Sequence, residues 1–125
     1  MAETRATPAA PAVRSVAILA DDLIWSTRLA DAVRAAGGQP RVLRRLPDLA
    51  ASSADAVIID LTARAYDGIA AVRAAREAGA RVVAVGQHDD AALRRAALEA
   101  GAGRVFTYRA LFEDGPRLLG RWLAG

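Results

Sequence analysis

Cysteine is absent from the chain, and with it disulfides, zinc–thiolate centres and any thiol nucleophile. Lysine is absent too. All 17 basic residues are arginine, which excludes chemistry that needs a lysine ammonium. The single histidine, His88, cannot build a multi-histidine metal site and leaves little room for a Ser-His-Asp triad. No apolar run approaches the roughly 20 residues that span a bilayer, so no membrane partner is expected. Nor is a signal peptide expected in residues 1–13, which set Pro8 and Pro11 among alanines without a long apolar segment. They read as a flexible tail, residues 14–125 as one folded domain, and a cytoplasmic location follows. The formal net charge is +3, yet the arginines are dispersed, pairing only at Arg44-Arg45 and Arg94-Arg95 with no aromatic-studded basic stripe. Nucleic acid is therefore not an expected partner.

What is present is an alternation of apolar strands and amphipathic helices. Val16 to Ala20 is continuously apolar, as expected of a strand covered on both faces. Residues 22–36 carry Trp25, Leu29 and Val33 at helical spacing and stop at Gly37-Gly38. Further strands are expected at 40–44, 56–60, 81–85 and 104–108. A short helix follows Pro47, and a longer one carrying Ile69, Val72 and Arg76 stops at Gly79. Asp89 or Asp90 caps the next helix, whose inward side is Leu93, Ala97 and Ala100. The last helix is expected to begin at Pro116, with Leu119, Trp122 and Leu123 inward. Trp25 and Trp122 both read as packing residues. Five strands alternating with helices predict an α/β fold: a flavodoxin-like, doubly wound, five-stranded parallel sheet of order 2-1-3-4-5 with helices on both faces.

That order makes the first and third strands neighbours, with the ligand crevice beyond their carboxyl ends. Asp21 and Asp22 follow the first strand and Asp60 ends the third. Three carboxylates in one crevice repel unless a cation compensates them, and Mg²⁺, a hard cation that prefers carboxylate oxygens, suits the place. Each acid also has a purely local explanation. Asp22 fits a helix N-cap, Asp60 a strand-end turn, and Asp67 the cap of the third helix with Gly68 easing the turn.

The stretches "AILADD", "ADAVIIDLTARAYDGI" and "ALEAGAGRVF", with Asp67-Gly68 seven and eight residues beyond Asp60, resemble the receiver domains of bacterial response regulators. The resemblance covers residues 14 to 123. It implies that Asp60 is the phospho-acceptor, that Asp22 is a direct Mg²⁺ ligand with Asp21 acting mostly through water, and that the Thr62 backbone carbonyl completes the metal site. It also implies a role in two-component or phosphorelay signalling, with a sensor histidine kinase or another signalling protein as partner and a homodimer as a further assembly. The segment 89–123, including Arg94, Arg95, Arg104 and Arg121, corresponds to the family's usual contact surface.

The pattern then breaks. Where receivers carry a Thr or Ser after the fourth strand this chain has Gly86, and where they carry a lysine after the fifth it has Tyr108, followed by Arg109 in place of proline. Arg64 replaces a further proline. Two charge-assisted or hydroxyl contacts to a phosphoryl group are thereby lost, each worth about 1.5–3 kcal/mol. Arg109 or Arg64 could supply a substitute cation, and Tyr108 could plug the gap the lysine leaves. The expectation is a stand-alone, atypical receiver-like module that acts through protein–protein interaction rather than as an enzyme. The main alternative is a structural dimerisation or scaffold domain with a vestigial acidic pocket. An aspartate-nucleophile phosphohydrolase needs an Asp-x-Asp and a lysine, and a flavin- or cobalamin-type module needs a phosphate cradle or a histidine; the required residues are missing at those places.

Overall fold

The computed structural model describes residues 14–125; the tail expected at 1–13 lies outside the described residues. Strands β1 (Ser15–Leu19), β2 (Gln39–Leu43), β3 (Ala56–Asp60), β4 (Arg81–Gly86) and β5 (Arg104–Thr107) alternate with helices α1 (Leu23–Ala35), α2 (Leu46–Ser52), α3 (Gly68–Glu77), α4 (Ala91–Ala100) and α5 (Tyr108–Ala124). The sheet is parallel throughout, in the order β2-β1-β3-β4-β5. The expected architecture is the observed one.

Side-chain alternation along the strands divides the core into two layers. Ala17, Leu19, Val57, Ile59, Val82 and Ala84 face one side, where α2, α3 and α4 cover them. Val16, Ile18, Ala56, Ile58, Val83, Val85 and Phe106 face the other, under α1 and α5. Both faces of the central strands are thus dry, which is why they read as unbroken apolar runs. Each fully buried Val, Ile or Leu contributes about 1.5–3 kcal/mol of transfer free energy. Asp60 follows this alternation: it has the parity of Ala56 and Ile58, so it leaves the sheet on the α1/α5 side.

The helix boundaries have local causes. Asp22 caps α1 by accepting from the Trp25 amide at 2.8 Å, and Asp90 caps α4 by accepting from Leu93 at 3.0 Å. Asp67 Oδ1 caps α3 through the amides of Ile69 and Ala70, at 2.9 and 3.1 Å. Pro47 sits in the first turn of α2. The last helix departs from expectation. It begins at Tyr108, capped by the Thr107 hydroxyl, and is broken by a kink at Asp114, just before Pro116. The proline thus opens only the second segment, because its missing N–H and fixed φ suit a helix start and not an interior. Gly68 also differs in its reason. A Cβ there would lie 2.9 Å from the Leu61 Cα and carbonyl oxygen, so glycine is required by backbone contact and not by turn flexibility.

Candidate functional site

The carboxyl ends of β1, β3 and β5 open into one crevice of about 650 Å³ lined by Asp21, Asp22, Trp25, Asp60, Thr62, Arg64, Gln87 and Tyr108. β1 and β3 are direct neighbours, with Leu19 opposite Ile59, so the acids that follow them meet as their positions require. Asp21, Asp22, Asp60 and Thr62, the residues singled out from the sequence, all line this space.

Each acid there already has hydrogen-bonding partners. Asp60 is only 2% exposed, and burying a carboxylate is costly unless donors surround it. Its Oδ1 accepts from the Thr62 amide at 3.0 Å, from the Thr62 hydroxyl at 3.0 Å, and from the Tyr108 hydroxyl. Tyr108 and Thr62 also touch through their hydroxyl oxygens, so two protons serve three oxygen–oxygen contacts. Asp21 Oδ2 accepts from the amides of Arg64 at 2.9 Å and Ala65 at 3.0 Å, tying the loop between β3 and α3 to the end of β1. Asp22 is the α1 cap already described.

Two tyrosines frame the Asp60 carboxylate. Tyr108 stands where the lysine would be, and its ring lies 4.6 Å from that of Trp25, tilted by 46°. Trp25, read as packing from its spacing, is therefore half core and half crevice wall. Burial, then the hydrogen bond to Asp60, raises the Tyr108 hydroxyl well above the ordinary tyrosine range. Tyr66 lies on the α3 side, its hydroxyl placed to donate to the main-chain oxygens of Leu19, 2.8 Å away, and Asp60, 2.7 Å away. Burial and the nearby Asp60 charge raise it likewise.

The remaining candidates divide. Arg64 lines the crevice, whereas Arg109 reaches Glu113 at 3.3 Å on the outside of α5 and does not contribute to the lining. His88 is exposed and is likewise not among the lining residues. Gly86 ends β4 with no side chain to offer, and the Gln87 amide that follows it reaches the wall instead. Gln87 and Tyr66 were not anticipated. Gln87 lies just beyond a strand's carboxyl end, the position from which such sheets draw ligand contacts. Tyr66 carries no sequence signal, since its partners are main-chain oxygens.

Three carboxylates and a carbonyl have the right chemistry for a hard divalent cation. They are not gathered about a common point: among the described residues no three His, Asp or Glu side chains form a metal-holding group. No helix among them is long and apolar enough to cross a membrane.

No protein-family model matches the chain, and no curated protein sequence does. Solved structures do. A putative response regulator from Chloroflexus aurantiacus superposes with a TM-score of 0.79 at 19% identity, covering 90% of this chain and 99% of that one. The BeF3-activated receiver domain of DrrB gives 0.78 at 18% identity, with 90% and 99% covered. The receiver domain of TorR, a response regulator of the TMAO respiratory system, gives 0.71 at 24% identity, with 86% and 98% covered. The fold of this chain is that of a response-regulator receiver domain.

Proposed function

We propose that the chain is an atypical receiver module of two-component signal transduction, one that works by binding other proteins and whose acceptor carboxylate is held shut by Tyr108. The observation that carries this reading is the hydrogen bond from the Tyr108 hydroxyl to Asp60 Oδ1. In a receiver, the acceptor oxygen must be free to attack a phosphoryl group, and a cation and a hydroxyl must then hold the product. Here Oδ1 carries three donors, Asp60 as a whole is only 2% exposed, Gly86 supplies no hydroxyl, and no lysine exists anywhere in the chain. Phosphoryl uptake at Asp60 is accordingly weak or absent. A sensor histidine kinase or another signalling protein is the partner class, a homodimer a further assembly, and the cytoplasm the location that goes with them.

Mg²⁺, the cofactor of this reading, would draw on Asp21, Asp22, Asp60 and the Thr62 carbonyl, which would first have to converge, because the structure does not gather the three acids into a metal-holding group. When bound it neutralises the crowded acids. The chain's own residues do the rest: Asp21 keeps the β3–α3 loop closed over the crevice, Thr62 and Tyr108 orient Asp60, and Trp25 backs Tyr108. A scaffold with a vestigial crevice is the second reading, favoured by the local structural bonds that each acid makes.

Acetyl phosphate with Mg²⁺, followed by intact mass, separates the two. The natural chain is expected to gain little or no phosphoryl mass. Tyr108→Lys combined with Gly86→Thr restores the missing cation and hydroxyl, and should gain one phosphoryl group that Asp60→Asn abolishes. A restored variant that still gains nothing favours the scaffold.

A further inference from the structure

The opposite end of the sheet carries a second constellation. Because the strands are parallel, the starts of β4 and β5 lie on the face away from the acid crevice. There Arg81 and Arg104 open adjacent strands. Arg104 pairs with Val83 across the ladder, and Arg81 has the same parity as Val83, so both arginines leave the sheet on the α5 side. Like charges held side by side on one sheet face repel. Arg121, in the last turn of α5, and Arg76, in the last turn of α3, add two more.

These four arginines rim two adjoining depressions of about 280 and 340 Å³ that share Arg81, Arg104 and Trp122. Leu118 and Phe106 supply apolar floor. No Asp or Glu side chain lines either depression. Among the described residues the ion pairs are Arg34–Asp31, Arg109–Glu113 and Arg117–Asp114, so none of the four is in one. They are positioned otherwise. Arg81 donates to the Trp122 main-chain oxygen and lies 5.5 Å over its ring, and Arg104 lies 5.2 Å over the Phe106 ring. Arg76 donates to the Ala80 oxygen at 3.3 Å. Compensation of helix C-termini accounts for Arg76 and Arg121. It accounts for Arg81 too, whose guanidinium donates to the Trp122 oxygen in the last turn of α5, but not for Arg104 at the start of β5.

The geometry points to a docking groove for an acidic peptide segment of a partner protein, with carboxylates on the guanidinium forks and an apolar side chain on the Leu118 floor. Guanidinium groups ordered in advance match carboxylates in two-point contacts and lose less freedom on binding. Single-stranded nucleic acid is the poorer fit. It needs open aromatic faces for base stacking, and a guanidinium already lies over a face of Trp122 and of Phe106. This inference is independent of the reading of the acid crevice, and its failure leaves the Asp60 proposal as it stands.

The test is fluorescence anisotropy with the full chain and a labelled peptide alternating Glu and Leu. Its Gln-for-Glu counterpart and a single-stranded oligonucleotide of equal charge are the comparison probes. The Glu peptide should bind, weaken with added salt, and lose about tenfold or more in affinity in the Arg104→Gln, Arg121→Gln double variant. Arg41→Gln with Arg45→Gln, which changes charge equally at exposed positions outside the groove, should leave binding unchanged. Thermal unfolding of both variants checks that they are folded. No binding of the Glu peptide overturns the proposal. So does equal binding by the two double variants, or tighter binding of the oligonucleotide.

Discussion

The hydroxyl of Tyr108 and Oδ1 of Asp60 form one hydrogen bond across 48 positions of sequence, and it joins the last residue of β3 to the first of α5. The bond satisfies a carboxylate that burial would otherwise penalise. It also engages Oδ1, one of the two carboxylate oxygens from which an attack could come. The burial of the carboxylate and the occupation of Oδ1 are thus tied to one bond.

Removing the donor should therefore separate them. Tyr108→Phe leaves a buried carboxylate one partner short and is expected to lower stability by about 1–3 kcal/mol in urea unfolding. In the Asp60→Asn background the same change should cost less, because a neutral amide suffers less from a lost donor. A double-mutant cycle reads the difference as a coupling of at least about 0.5 kcal/mol. Additive effects would show that the bond is not made in solution.

Two glycines near Leu61 should respond oppositely to a methyl group. At Gly68 a Cβ meets the Leu61 backbone at 2.9 Å, which cannot yield without moving β3, so Gly68→Ala should cost about 1–3 kcal/mol. At Gly86 the nearest atom is the Leu61 Cδ1 at 3.5 Å, an ordinary contact. Gly86→Ala should be close to neutral in the same urea titration. The space for a Cβ at this strand end is present.

Asp21 and Asp22 are neighbours with different structural duties, and hydrogen exchange can tell them apart. Asp22→Ala removes the α1 cap and should cost about 0.5–2 kcal/mol, with faster exchange confined to the first turn around Trp25. Asp21→Ala should instead release the amides of Arg64 and Ala65, far along the chain, and leave α1 protected. Faster exchange in the same segment for both variants would contradict the division.

How much of this was legible beforehand follows from how local each cause is. Val16–Ala20 and 56–60 announced buried strands because both faces are dry; the βα alternation pointed to a parallel sheet, and the size of the domain to the order 2-1-3-4-5. The meeting of Asp21, Asp22 and Asp60 followed from that order alone. The start of α5 did not, because Pro116 is a strong helix-start signal and masks the Thr107 cap nine residues earlier. Nor did the wall of the crevice. The tilted Trp25–Tyr108 ring contact joins residues far apart in sequence, and the Tyr66 hydroxyl is aimed at main-chain oxygens that no side-chain pattern encodes.

The alkaline limb of stability tests the two tyrosines together, in a chain well suited to it. With no lysine and no cysteine, Tyr66 and Tyr108 are the only side chains expected to titrate between about pH 9 and 12. Both hydroxyls are raised in the folded state, chiefly by burial and then by Asp60. The sign follows from proton counting. Below the unfolded value of about 10 both states are protonated and the stabilisation is complete. Above it the unfolded chain releases protons that the folded chain retains, so stability falls as pH rises. The urea midpoint should therefore hold level up to about pH 9.5 and then decline, and Tyr66→Phe and Tyr108→Phe should each flatten part of that decline. Ultraviolet absorbance of tyrosinate should appear only together with unfolding. Ionisation of both tyrosines near pH 10 in the folded chain would mean that their hydroxyls face water and that the lock on Asp60 is open.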